Sequence, residues 1–174
     1  MSETSIHARR RSRLAAQMQK GVAIVPTAPE RVRNRDAHYP YRFDSYFYYL
    51  TGFPEPEAVI VLVPGRAKGE YILFCRDRDE EQEIWHGRRY GPEGALRHFG
   101  ADDAFPIDDI DDILPGLMEH SERVYYTIGR DPLFDKRVMG WVNTLRSQSR
   151  SGAHVPYEFV SLDFLLHDMR LYKS

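Results

Sequence analysis

Ala58-Val59-Ile60-Val61-Leu62-Val63 is an unbroken apolar run, rich in β-branched side chains. A strand with one face in water alternates polar and apolar residues, so this run predicts a strand covered on both faces. A turn over residues 64–70 leads to a second strand, Tyr71-Ile72-Leu73-Phe74-Cys75, and residues 45–50 form an aromatic, strand-like run upstream. These neighbouring segments predict a meander, and therefore a sheet that is antiparallel in part.

Elsewhere, helical periodicity alternates with short strands. Further strands are predicted at 22–25 and 124–128. Helices are predicted up to Met18 and at 92–99, 107–118, 132–146 and 159–171, the last with Ser161 as its cap. We therefore expect an α/β fold, with a mixed β-sheet and helices on both faces. The polar, turn-rich segment 27–42 is predicted to be a loop, and ordered loops of this length are often functional.

The composition indicates one globular domain. The 174 residues are 42% hydrophobic and 29% charged, with a formal net charge of −2. A charge this near zero gives no general attraction for nucleic acid or anionic lipid, and no apolar run approaches the ~20 residues of a membrane span. The lone cysteine, Cys75, excludes an internal disulfide and indicates a reducing compartment, so we expect a cytoplasmic protein.

The N-terminal residues have two interpretations. Residues 1–6 lack the apolar region of a signal peptide, whereas four nearby arginines also suit a mitochondrial presequence. Those arginines are Arg9, Arg10, Arg11 and Arg13. Leu14 and Met18 share a helical face, which favours a first helix instead.

The spacing of the polar residues indicates no self-contained active site. The seven histidines form no His-x-x-x-His pair, so we expect exposed or capping histidines. The acidic residues within 108–112 lack the spacing of a calcium loop, and the interleaved isoleucines predict a solvated helix face. Glycine-rich phosphate loops and a Gly-x-Ser-x-Gly elbow are absent from the sequence. Cys75 is expected to be buried and inert, and the aromatic run 46–49 to pack in the core rather than stack on bases.

Four stretches together form a recognisable pattern. They are Tyr39-Pro40-Tyr41-Arg42-Phe43-Asp44-Ser45 running into Phe47-Tyr48-Tyr49-Leu50-Thr51-Gly52-Phe53; Glu55-Pro56-Glu57-Ala58-Val59; Glu83-Ile84-Trp85-His86-Gly87-Arg88-Arg89; and His167-Asp168-Met169-Arg170-Leu171-Tyr172-Lys173-Ser174. The pattern resembles the N-terminal domain of Xaa-Pro aminopeptidase (aminopeptidase P), in the creatinase and prolidase superfamily, from about residue 8 to 174. The stretch with tryptophan, glycine and arginine favours the aminopeptidase branch over creatinase.

The resemblance implies a ribonuclease H-like domain of the creatinase and aminopeptidase P type. It implies a disordered tail at 1–7, the domain at 8–168, and at 169–174 the start of a linker to a C-terminal catalytic domain. That domain would hold two metal ions, usually manganese, which generate a hydroxide and polarise the scissile carbonyl. None of the family's metal ligands matches a residue here, so we expect this chain alone to be inactive and to hold no metal.

The implied activity belongs to the longer protein. A Xaa-Pro aminopeptidase is a metallopeptidase that releases the N-terminal residue of peptides with proline at the second position. This domain would shape the substrate cleft and mediate homo-oligomerisation. Two alternatives remain open: the N-terminal domain of a prolidase, which cleaves Xaa-Pro dipeptides, and a peptidase-like binding module without activity.

Three substrate-binding candidates follow from the resemblance. Asp36, in the long loop, and Arg150, after the predicted helix 132–146, match positions where this domain approaches an active site. An arginine there would hold a carboxylate through a two-point hydrogen bond. Trp85 lies among charged residues with only Ile84 beside it, unlike a core tryptophan such as Trp141. We expect Trp85 to be exposed in this domain, covered in the oligomer, and placed against the substrate of a neighbouring subunit.

Overall fold

The computed structural model of the protein describes residues 3–18, 20–28 and 45–171. Within these ranges the strands form one six-stranded sheet in the order β4-β3-β2-β1-β5-β6. The strands are β1 (Gly21–Pro26), β2 (Val59–Leu62), β3 (Tyr71–Cys75), β4 (Asp103–Pro106), β5 (Arg123–Tyr125) and β6 (Glu158–Val160). Strand β2 runs antiparallel to β1 and β3, and the other neighbours are parallel. All strands except β2 therefore end at the same edge, called here the carboxyl edge.

Helices cover both faces of this sheet. The described helices are α1 (Glu3–Gln17), α2 (Ser45–Thr51), α3 (Glu80–His86), α4 (Gly91–His98), α5 (Ile110–Met118), α6 (Pro132–Ser147) and α7 (Leu162–Leu171). Single 3₁₀ turns lie at Ile107–Asp109 and Ser149–Ser151. Helices α1, α2, α4 and α7 supply one apolar layer, and α5 and α6 supply the other. The predicted α/β fold with a mixed sheet is confirmed.

The central strands show why an unbroken apolar run was needed. Alternate residues of β2 enter opposite layers, Ile60 and Leu62 on one side and Val59 and Val61 on the other. All four are buried. At roughly 25 cal/mol per Å² of buried apolar surface, burial on both faces makes each residue of these strands a large contributor to stability.

The segment 45–50 is a helix, not the predicted strand. Aromatic residues favour strands in general, but tertiary packing decides the conformation here. Phe47 and Leu50, three positions apart, are fully buried in one layer, whereas Tyr46, Tyr48 and Tyr49 are half-buried. The aromatic run does pack in the core, as predicted, but as one face of α2.

Both ends of the described chain contact the core. Helix α1 begins at Glu3, and His7 is buried. His7 Nδ1 lies 2.9 Å from the Tyr49 carbonyl oxygen, and Arg11 donates a 2.8 Å hydrogen bond to the Leu50 carbonyl. These contacts satisfy carbonyls at the C-terminal end of α2. At the other end, Met169 is 1% exposed within the core.

Several short elements differ from prediction as well. The final helix begins at Leu162, because residues Glu158–Val160 pair with β5 as strand β6. The strand predicted at 124–128 is Arg123–Tyr125. Strand β4 and helix α3 were not predicted.

Candidate functional site

The most exposed large apolar side chains of the described chain include two neighbours on α3. Trp85 is 81% exposed and Ile84 is 78% exposed. None of the seven residues of α3 is buried. The predicted exposure of Trp85 is therefore confirmed, whereas its role toward substrate remains a prediction.

Polar contacts rather than apolar burial hold α3 in place. At its start the Asp79 carboxylate accepts hydrogen bonds from the backbone N–H groups of Glu81 and Gln82, at 3.1 and 3.2 Å. At its end Gly87 adopts φ 92° and its N–H donates to the Glu83 carbonyl. Both helix ends are thus satisfied, which stabilises a helix with no apolar face.

Glu83 ties α3 to the segments on either side of it. Its carboxylate accepts a 2.7 Å hydrogen bond from the Arg89 backbone N–H and a 3.3 Å bond from Arg78 Nε. The Arg89 hydrogen bond, followed by the Arg78 contact, holds the pKa of Glu83 below its usual value. The Arg89 guanidinium in turn donates to the Asp77 carbonyl at 3.2 Å. The loop after α3 is therefore fixed at both ends.

A buried carboxylate continues this network into the core. Glu55 is 8% exposed, accepts a 2.8 Å hydrogen bond from the Tyr90 backbone N–H, and pairs with Arg76 at 3.2 Å. The Tyr90 ring packs edge-on against Phe99, with centroids 4.8 Å apart. Sequence reasoning missed Asp79, Glu83 and Glu55 as positioning residues. Asp79 with Gln82 three residues later is a recognisable capping signal, whereas the other two carry no local signal.

The site lies at the carboxyl edge of the sheet. Helix α3 follows the end of β3, and an open cleft of about 710 Å³ beside it is lined by residues after β1, β3 and β4, including Thr27, Asp77 and Asp108. Crevices at this edge are where open α/β sheets usually bind ligands.

Of the three candidate residues, the structure describes Trp85 and Arg150, and these two lie apart. Arg150 is exposed in the 3₁₀ turn after α6. Helix α6 starts at the carboxyl edge and its sixteen residues rise about 24 Å, so Arg150 lies toward the opposite edge from Trp85. Asp36 lies outside the described residues.

The other polar groups of the described residues form no catalytic cluster. Burial, followed by the charge of Glu55, raises the pKa of the Cys75 thiol to about 12, which agrees with an inert thiol. The acidic residues of 108–112 are exposed, as predicted, but Asp111 also accepts a 2.8 Å hydrogen bond from the indole of Trp141. No three His, Cys, Asp or Glu side chains among the described residues come together as metal ligands. The described residues thus do not fit a metal ion.

None of the described helices has the length and apolar character needed to cross a membrane.

Solved and curated relatives cover nearly the whole chain. The Xaa-Pro aminopeptidase of Escherichia coli is 39% identical over 168 residues, which are 95% of this chain and 38% of that protein. The structure of Pseudomonas aeruginosa aminopeptidase PepP matches 99% of this chain with a TM-score of 0.97 at 61% identity, over 39% of its own length. A Zn-substituted E. coli aminopeptidase P in complex with product matches 99% of this chain at 37% identity, with a TM-score of 0.95, over 40% of its own length.

The chain spans about two fifths of the length of these relatives. Residues 7–125 match the family described as the aminopeptidase P N-terminal domain. The resemblance inferred from the four sequence stretches is thereby confirmed. On both the family match and the close relatives, this chain belongs to the aminopeptidase P N-terminal domain family.

Proposed function

We propose that this chain is the non-catalytic N-terminal domain of a Xaa-Pro aminopeptidase, a cytoplasmic metallopeptidase that releases the N-terminal residue before proline. The chemistry belongs to a further domain holding two manganese ions, which supply hydroxide and Lewis-acid activation when bound. The similarity to the Xaa-Pro aminopeptidase of Escherichia coli supports the peptidase assignment, and the Zn-substituted aminopeptidase P supports a metalloenzyme. This chain shapes the substrate cleft and joins subunits into a homo-oligomer.

One observation carries the cleft-shaping role. Trp85 stands 81% exposed on a helix whose ends and flanking loop are fixed by hydrogen bonds. Leaving an indole in water forgoes on the order of 3 kcal/mol of apolar burial. A rigid frame that keeps such a group exposed is typical of a recognition surface, where tryptophan is enriched.

The arrangement also favours contact between subunits. Trp85 and Arg150 lie toward opposite edges of the sheet. In an oligomer, one domain therefore contacts different neighbouring parts of the assembly through these two residues. In the proposed oligomer, Trp85 reaches the cleft of a neighbouring subunit and its flat indole packs against the proline ring. Arg150 and Asp36 approach an active site, where the arginine holds a carboxylate.

The test compares the isolated chain with the full-length enzyme. Both are assayed on Xaa-Pro peptides after chelation, with and without added manganese. We expect manganese to restore hydrolysis by the full-length enzyme and to leave the isolated chain inactive. Turnover by the purified chain, or a full-length protein that does not release the residue before proline, would contradict the proposal.

A further inference from the structure

A groove rich in arginine lies next to the end of α3, the helix that carries Trp85. It has a volume of about 440 Å³ and is bounded by the loop after α3 and by helix α4. Among its lining residues only Glu93 carries a negative charge. Its arginines are Arg78, Arg88, Arg89 and Arg97. Because the whole chain has a formal charge of −2, this concentration of positive charge is local.

Part of that positive charge is neutralised inside the domain, because Arg78 pairs with Glu83 at 3.3 Å and the Glu83 carboxylate also interacts electrostatically with Arg88. Arg88 itself is exposed, and no hydrogen bond or ion pair joins it to another described residue. Arg97 pairs with Glu93 at 3.0 Å, but both side chains are more than 70% exposed. Exposed pairs of this kind contribute little and exchange readily with other partners. The groove therefore offers guanidinium groups to an incoming anion.

One glycine lets Arg78 lie close to α4. A Cβ atom at Gly91, the first residue of α4, would lie 2.7 Å from Arg78 Cγ. A larger residue there would push Arg78 away from α4. The position of Arg78 in the groove therefore depends on this close packing.

The groove is within a short peptide's reach of Trp85. Trp85 and Arg88 are three residues apart, so their Cα atoms are separated by at most about 11 Å. An extended peptide rises roughly 3.4 Å per residue and covers that distance in at most about three residues. A peptide with its proline against Trp85 thus reaches the arginines within about three residues.

We propose that this groove binds a carboxylate of the peptide substrate about three residues after the proline. Guanidinium groups recognise carboxylates through paired, charge-assisted hydrogen bonds. The enzyme then prefers peptides that carry a carboxylate there, on an Asp or Glu side chain or at the C terminus. This inference rests on the proposed contact of Trp85 with substrate.

The experiment uses the full-length enzyme and short peptides with proline at the second position. One set is amidated and carries Glu, Gln or Lys about three residues after the proline. A second set has neutral side chains and ends there in a free carboxylate or an amide. We expect kcat/KM to favour Glu over Lys, or the free carboxylate over the amide, by roughly threefold to tenfold, and less so at high salt. The set that shows the preference identifies the source of the carboxylate.

Variants then assign the preference to the groove. Arg88→Glu should abolish or reverse the preference, and Arg88→Gln should reduce it without reversing a charge. Lys68→Glu is the matched control, since Lys68 is exposed in the β2–β3 turn at the opposite edge of the sheet. It should keep the wild-type preference.

Several results would overturn the inference. Wild-type enzyme that cleaves Xaa-Pro peptides without charge preference would refute it and leave the proposed function standing. A preference that survives both Arg88 variants would also refute it. If Arg88→Glu changes the mass of the oligomer and not the preference, the groove is a subunit contact. A full-length protein with no Xaa-Pro activity would remove the proposed function together with this inference.

Discussion

The backbone N–H of Tyr90 donates a 2.8 Å hydrogen bond to the buried carboxylate of Glu55. Glu55 lies between two prolines, and Tyr90 lies immediately before α4. The same carboxylate pairs with Arg76, which is 17% exposed at its side chain. One carboxylate therefore joins the segment before β2 to the end of β3 and to the loop that follows α3.

Replacing Glu55 should destabilise the domain strongly. Glu55→Ala leaves a largely buried guanidinium and a backbone N–H without their partner, at a cost of about 3 kcal/mol. The free energy of unfolding is measured by denaturant titration. Glu93→Ala is the matched control, because the Glu93–Arg97 pair is exposed and its loss should cost less than about 0.5 kcal/mol. Equal losses in the two variants would contradict the role of Glu55.

Gly52 is expected to tolerate no side chain. Its φ is +69°, and a Cβ atom there would lie 2.6 Å from His7 Nε2. Gly52→Ala therefore combines backbone strain with a clash against the contact between α1 and α2, and should cost about 2–4 kcal/mol. Gly65→Ala separates the two effects, because Gly65 has φ +86° but no atom within 4 Å of a Cβ. It should cost only about 1 kcal/mol, and a loss as large as that of Gly52→Ala would rule out the clash.

Cys75 should make stability fall in alkali. Burial raises the pKa of its thiol to about 12, whereas an unfolded thiol ionises near its ordinary pKa of about 8.5. Between these values the unfolded chain loses a proton that the folded chain keeps, so the free energy of unfolding falls by up to about 1.4 kcal/mol per pH unit. Denaturant titrations from about pH 8 to 10.5 should show a shallower fall for Cys75→Ala. Parallel curves for the two proteins would show that the thiol is not protected.

The central strands could be predicted because a strand buried on both faces has an apolar residue at every position. Residues 59–62 and 71–75 are apolar at every position, and each is buried between two helical layers. Strands β4 and β6 could not be found in this way. They have only four and three residues, and their residues are mostly half-buried at the two edges of the sheet. Pairing with a neighbour, and not a local pattern, makes them strands.

The candidate site was predictable only in part. The isolation of Trp85 among charged residues indicated exposure, since a core tryptophan needs apolar neighbours. The frame around it depends on Glu83 and Glu55, whose partners lie up to 35 residues away in sequence. Such long-range hydrogen bonds leave no periodic signal. The arginine-rich groove could not be predicted either, because it forms only when α4 packs against Arg78 in the folded domain.

Replacing the two tryptophans should have very different effects on the free energy of unfolding. Trp141 is 3% exposed and its indole N–H donates to Asp111, so Trp141→Ala should cost about 3–5 kcal/mol. Trp85→Ala should change the free energy of unfolding by less than about 0.5 kcal/mol, because the side chain is already in water. Denaturant titration of both variants checks this. A large loss for Trp85→Ala would mean that Trp85 anchors the fold.

The most direct test is the peptide-length dependence of kcat/KM for Trp85→Ala in the full-length enzyme. The account predicts that the variant stays folded and oligomeric but cleaves Xaa-Pro peptides that extend beyond the proline less efficiently, by roughly tenfold, with a smaller loss for dipeptides. Removing an indole that packs on the proline and closes the cleft weakens binding of the extended substrate most. A folded Trp85→Ala enzyme with the wild-type kcat/KM at every peptide length would contradict the claim that this domain shapes the substrate cleft.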